Sequence, residues 1–145
     1  PTNRYYKGSD KIIDVCKRID NENDNVEFIL IENQSQKETI QIKSRCDILI
    51  DQIYNRGGWG YGMSSVESLA MGLCCATELN QKYEDFIPNH PFININENNI
   101  YDKLSKLVQN PQMISNIKEK SRNWVETTHD IRIVGKELYN YYGQI

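Results

Sequence analysis

Four short apolar runs, at residues 26–31, 47–51, 73–77 and 92–95, alternate with segments whose apolar residues recur at helical spacing. Runs of this length and near-continuous apolarity are strands buried on both faces, and their alternation with helices predicts a parallel sheet covered on two sides. Ser9 and Asp10 are candidate caps for a first helix carrying Ile12, Ile13, Cys16 and Ile19, which the polar cluster 21–25 ends. Residues 35–45 read as a weaker helix with Ile40 and Ile42 as its main apolar residues. A helix starting near Gly62 or Met63 should turn Val66, Leu69, Ala70 and Leu73 inward, with Glu67 beside them, and a polar loop should then lead past Pro88 and Pro91.

The C-terminal third reads as helical. Ile100, Leu104, Leu107 and Val108 make one face, and Asn110-Pro111 places proline at the start of the next helix. Met113, Ile114, Ile117, Trp124 and Val125 continue, and Asp130 is positioned to cap a last helix with Ile131, Val134, Leu138 and Tyr141. The expected fold is an α/β, Rossmann-like three-layer domain spanning 1–145, with a mostly parallel sheet and helices closing the C-terminus. The chain opens on a polar stretch, residues 1–8, where such a domain begins with a strand. The expectation is therefore a fragment of a longer protein whose upstream strand is absent.

Composition narrows the function. With 145 residues, 39% apolar, 26% charged and a net charge of −3, the chain gives no electrostatic reason to expect nucleic acid. No apolar run reaches the ~18–20 residues of a membrane span, and no signal peptide is visible. Cys16, Cys46, Cys74 and Cys75 show no Cys-x-x-Cys spacing, and two of them sit inside an apolar run. That usage predicts buried, inert, reduced thiols and a cytoplasmic chain. His90 and His129 are isolated, so no metal is expected.

Chemistry concentrates in residues 57–72, Gly-Gly-Trp-Gly-Tyr-Gly-Met-Ser-Ser-Val-Glu-Ser-Leu-Ala-Met-Gly. Glycines let a backbone approach a ligand closely, and the following helix start offers free N–H groups to an anion. Gly60-Tyr-Gly-Met-Ser-Ser65 approximates a dinucleotide fingerprint but lies about ten residues beyond its strand and ends in serine, against the rule that the motif follows the strand at once. No Gly-Lys-Ser/Thr supports a P-loop. On pattern alone Glu67 reads equally as a solvated helix carboxylate. Lys7 stands before a helix N-terminus, an unfavourable place for a cation unless an anion lies between them. Arg4 shares that ambiguity with an ordinary loop cation. Trp59 and Tyr61 are candidates for a sugar or base wall, or for a lid over the helix. His129-Asp130 reads as a helix start, and Tyr139, Tyr141 and Tyr142 as edge or interface packing.

Lys7-Gly8, Asp47-Ile-Leu-Ile-Asp-Gln52 and Gly60-Tyr-Gly-Met-Ser-Ser-Val-Glu-Ser-Leu-Ala-Met-Gly72 together resemble the C-terminal, donor-binding half of GT-B glycosyltransferases, most closely the retaining "group 1" family (family 4). The resemblance extends over almost the whole chain, including Arg122-Asn-Trp-Val-Glu126 and His129-Asp130. It implies transfer of a sugar from a nucleotide-diphosphate sugar with retention at the anomeric carbon, without a metal or other cofactor. Glu67 matches the second glutamate of the family's Glu-x7-Glu motif, which binds the nucleotide ribose. Lys7 matches the cation that stabilises the departing diphosphate, with Arg4 as a helper and Gly8 beside it. Backbone N–H groups around Gly60, Gly62, Met63 and Ser64 would meet phosphate or sugar oxygens, with Tyr61 in the same loop.

Two departures stand out. Eight residues before Glu67, where the family carries its first glutamate, this chain has Trp59, and Asp51 is the candidate substitute for the lost sugar contact. The family's Pro-Val after the helix is Cys74-Cys75 here. The resemblance also implies a separate N-terminal acceptor domain, peripheral membrane association through the full-length protein, and a role in bacterial surface-glycan or glycolipid assembly. Without that acceptor domain the chain should bind donor nucleotide weakly and transfer sugar to nothing. The alternative from another class is a non-catalytic α/β module that uses the same surface to bind a nucleotide or dock a partner.

Overall fold

A computed structural model describes residues 4–54, 56 and 60–143. Its strands, β1 (Ile48–Ile50), β2 (Cys74–Thr77) and β3 (Ile93–Asn94), form a parallel sheet in the order β1-β2-β3. Ile48, Leu49 and Ile50 pair with Cys74, Cys75 and Ala76, and Ala76 and Thr77 pair with Ile93 and Asn94. β2 is buried at all four residues, as a central strand covered on both faces must be. The expected mixed α/β architecture is present.

The helices are α1 (Arg4–Lys7), α2 (Ser9–Glu22), α3 (Gln36–Lys43), α4 (Met63–Ala70), α5 (Gln81–Phe86), α6 (Ile100–Val108), α7 (Pro111–Thr128) and α8 (Ile131–Tyr142). α2 and α6 pack on one side of the sheet around Ile12, Cys16, Ile19, Ile53, Ile95 and Leu104. α4 and α7 pack on the other, around Leu69, Cys75, Phe92 and Trp124. Among the described residues no helix is long and apolar enough to cross a membrane.

Several local readings are corrected. Residues 26–31 form no strand: among the described residues no ladder partner lies beside them. Val26 and Phe28 pack on the core, while Ile29 and Leu30 are exposed. Between this segment and the free edge of β1 lies a cavity of about 930 Å³, lined by residues of both and by Ile12, Cys16 and Ile19 of α2. The opening stretch contains a helical turn, α1, and the polar loop before Pro88 contains α5, capped by the Asn80 side chain on Tyr83 N–H at 3.1 Å. α2 is capped by neither Ser9 nor Asp10; its N-cap is Gly8, with φ 69°.

α3 also differs from its sequence pattern. Ser35 and Glu38 form a reciprocal capping box, which fixes where the helix starts. As the helix packs, Lys43 is buried and Ile40 is exposed, the reverse of their polarities. The buried face of α4 likewise consists of Ser65, Ser68 and Leu69, with Val66 and Ala70 only half-buried.

Candidate functional site

Two hinges bring distant residues together past the carboxyl end of β1. The first is Lys7-Gly8. Ile53 N–H donates to Lys7 C=O at 3.1 Å, and Gly8 adopts a left-handed φ of 69° that a side chain resists. A Cβ on Gly8 would lie 2.6 Å from Ile53 Cγ1 and 2.8 Å from the Tyr54 ring, so glycine is required for space as well as for conformation. Arg56 braces this junction, stacked over Tyr5 and Tyr54 and donating to Tyr5 C=O at 3.3 Å.

The second hinge is the turn into α4. Gly60 has φ 79° and its carbonyl accepts from buried Gln52 Nε2 at 2.8 Å. Tyr61 turns inward: its ring stacks on Phe92 at 4.7 Å, meets Trp124 edge-on, and its hydroxyl lies 3.2 Å from His129 Nε2. Burial pushes the Tyr61 phenol up and the His129 imidazole down, so the neutral forms of both are favoured. The ring therefore anchors the loop to the end of α7 rather than standing as an open wall. At the far end of α4, Gly72 (φ 75°) and Leu73 close a Schellman motif through N–H bonds to Leu69 and Ser68 C=O at 2.9 and 3.0 Å.

Between the hinges lies a compact set of charges. Asp51, directly after β1, is buried; one carboxylate oxygen accepts from Lys7 Nζ and the other from Ser65 Oγ at 2.6 Å. A buried carboxylate in this position also complements the positive end of α4. Twenty-four residues apart in sequence, Lys43 and Glu67 form a second pair: Lys43 Nζ donates to Glu67 Oε1 at 2.6 Å and to Ser64 Oγ at 3.0 Å. The first-turn N–H groups of Met63 and Ser64 have no acceptor among the described residues, as expected at a helix start.

Compared with protein-family models, with curated proteins and with solved structures, the chain matches none.

The fold collects Lys7, Gly8, Asp51, Gly60, Gly62, Met63, Ser64 and Glu67 around one helix start. Met63 is 86% exposed, and its side chain faces solvent. Arg4 lies to one side, held by Glu32 through Nε at 3.0 Å and Nη2 at 2.6 Å, with a further contact to Asp10. Those contacts, Glu32 first, raise its pKa further. Asp51 has both oxygens engaged within the protein, which makes it a support for Lys7 and Ser65. Trp59 lies outside the described residues. Among the described residues no cluster of His, Cys, Asp and Glu is arranged to hold a metal ion.

Lys43, Ser65 and Gln52 were missed by sequence reasoning. None had a signal that sufficed: the Ser35-x-x-Glu38 capping box marks the start of α3 and places Thr39 and Lys43 four apart on one face, but their polarity assigns that face to solvent, whereas both line the cavity beside β1.

Proposed function

We propose that this chain is the nucleotide-sugar-binding domain of a retaining glycosyltransferase, one Rossmann-like half of a GT-B fold acting in the cytoplasm on surface-glycan or glycolipid synthesis. The observation that carries the reading is the meeting of the Lys7–Asp51–Ser65 and Lys43–Glu67–Ser64 clusters at the N-terminus of α4, just past the carboxyl end of β1. Crevices outside the carboxyl ends of parallel strands are where α/β sheets bind ligands, and a helix start supplies N–H groups for phosphate oxygens.

Each group has a chemical task in this reading. A nucleoside diphosphate gains negative charge as the sugar departs. Lys7, about one-third exposed, meets that charge while Asp51 fixes its position. The N–H groups of Met63 and Ser64 add fixed dipoles that need no reorganisation when the bond breaks. Glu67 accepts from a ribose hydroxyl through an oxygen that Lys43 does not occupy.

Calorimetric titration of UDP, GDP and their sugar conjugates into the wild-type chain, Glu67→Ala and Lys7→Ala tests the reading. One nucleotide family should bind weakly to the wild type and lose most of its affinity in both variants, with folding checked by circular dichroism. No binding, or binding indifferent to both substitutions, overturns it and leaves a non-catalytic docking module.

A further inference from the structure

Lys43 is the one fully buried residue of α3, where Ile42 is half-buried and Ile40 exposed. Its side chain is 6% exposed while that of Glu67 is 33% exposed, so the pair has a closed cationic end and an open anionic end. An ammonium taken out of water is costly even when paired, and a solvated lysine at the tip of a short surface helix would avoid that cost. Such an arrangement gives up stability for position.

The position it secures is that of a carboxylate. Nζ holds Glu67 Oε1 at 2.6 Å and is itself steadied by Ser64 Oγ at 3.0 Å, whereas Oε2 has no donor among the described residues. A carboxylate anchored at one oxygen and open at the other is set to accept a hydroxyl at a defined place. Two of the three ammonium N–H groups are already used within the protein, and Glu67 neutralises the charge. Lys7, with more than a third of its side chain open, is the cation better placed for a phosphate.

We infer that Lys43 is a positioning residue for nucleoside recognition: it orients Glu67 toward the ribose hydroxyls and does not contact the diphosphate. This rests on the nucleotide-binding reading above and adds a separable claim to it.

The test titrates UDP, 2′,3′-dideoxy-UDP and inorganic pyrophosphate into wild type, Lys43→Met, Lys43→Arg, Glu67→Gln and the Lys43→Met/Glu67→Gln double variant, with GDP and its dideoxy analogue if the wild type prefers guanine. Lys43→Met should weaken UDP about tenfold, as expected for a charge-assisted hydrogen bond, and leave pyrophosphate and the dideoxy nucleotide unchanged. It should add nothing to Glu67→Gln, and Lys43→Arg should recover part of the loss. A lysine that only supports the fold would weaken all three ligands together. The inference is overturned by that pattern, by additive losses in the double variant, or by undiminished UDP binding in Lys43→Met while Glu67→Gln weakens it. If Lys43→Met fails to fold, Lys43→Arg carries the same comparison, and equal loss on UDP and pyrophosphate there overturns it. No nucleotide binding by the wild type overturns both the inference and the reading beneath it.

Discussion

Replacing Gly8 by alanine probes the hinge that delivers Lys7 to Asp51. Its φ of 69° places an alanine in the left-handed region, at about 1–2 kcal/mol. The added Cβ would lie 2.6 Å from Ile53 Cγ1 and 2.8–2.9 Å from two Tyr54 ring atoms, all far inside normal carbon–carbon contact. Ile53 is 1% exposed and packed from all sides, so it has nowhere to move cheaply. Overpacking of this kind adds about 1–3 kcal/mol. The total of about 2–5 kcal/mol is a large part of a domain's ~5–15 kcal/mol and corresponds to a fall in Tm of about 4–20 °C.

Gly72→Ala is the matched control. Its φ is 75°, yet no atom lies within 4 Å of the built Cβ, so it carries the conformational term without the steric one. The loss of unfolded-state freedom common to both substitutions cancels in the comparison. Urea unfolding followed by circular dichroism should place Gly8→Ala at least about 1 kcal/mol below Gly72→Ala with unchanged m-values. Equal destabilisation of the two variants would refute the packing of Gly8 against Ile53 and Tyr54.

Three further outcomes follow from burial and pairing. Burial lowers the pKa of both His129 and His90, so each binds protons more readily when unfolded; stability is full above the ordinary imidazole pKa and lost as pH falls below it. Urea midpoints should therefore drop from pH 7 to 5.5, by no more than about 1.4 kcal/mol per histidine per pH unit, and His129→Gln should flatten that slope. The Cys16 and Cys75 thiols are pushed up to about 12 and Cys74 to about 11 by burial, so a disulfide reagent at pH 8 should label the half-buried Cys46 first; faster labelling of Cys75 would contradict its place in β2. Amides of residues 28–30, which have no ladder partner among the described residues, should exchange at least about a thousandfold faster than those of residues 74–76. Equal protection would mean that the segment is paired.

Much of the architecture was legible because it rests on local chemistry. The apolar faces of α2 and α6 follow helical spacing, and Asn110-Pro111 and Asp130 cap where their side chains predict. By contrast, α7 turns Trp124 inward but exposes Met113 and buries Ser121, and the expected face of α8 leaves Ile131, Leu138 and Tyr141 exposed. Residues 26–31 are rich in strand-favouring side chains yet form none, because a strand is a property of two segments and no partner lies alongside among the described residues. α5 was hidden because only Asn80 signals it among exposed polar residues. The site was half legible. Glycines and Glu67 announce an anion-friendly helix start, whereas Lys43 and Ser65 become visible only when tertiary contacts set their partners. A buried lysine inverts the polarity rule by which helix faces are read, so pattern alone assigns it to solvent.

The central claim, a nucleotide site at the start of α4, is tested most directly by mapping UDP and GDP binding onto backbone amides by ¹H–¹⁵N NMR. The largest shifts should fall on Gly62, Met63, Ser64 and Glu67, with smaller ones at Lys7, Gly8 and Lys43, and they should collapse in Glu67→Gln. Shifts confined to another face, or none at millimolar nucleotide, would contradict it.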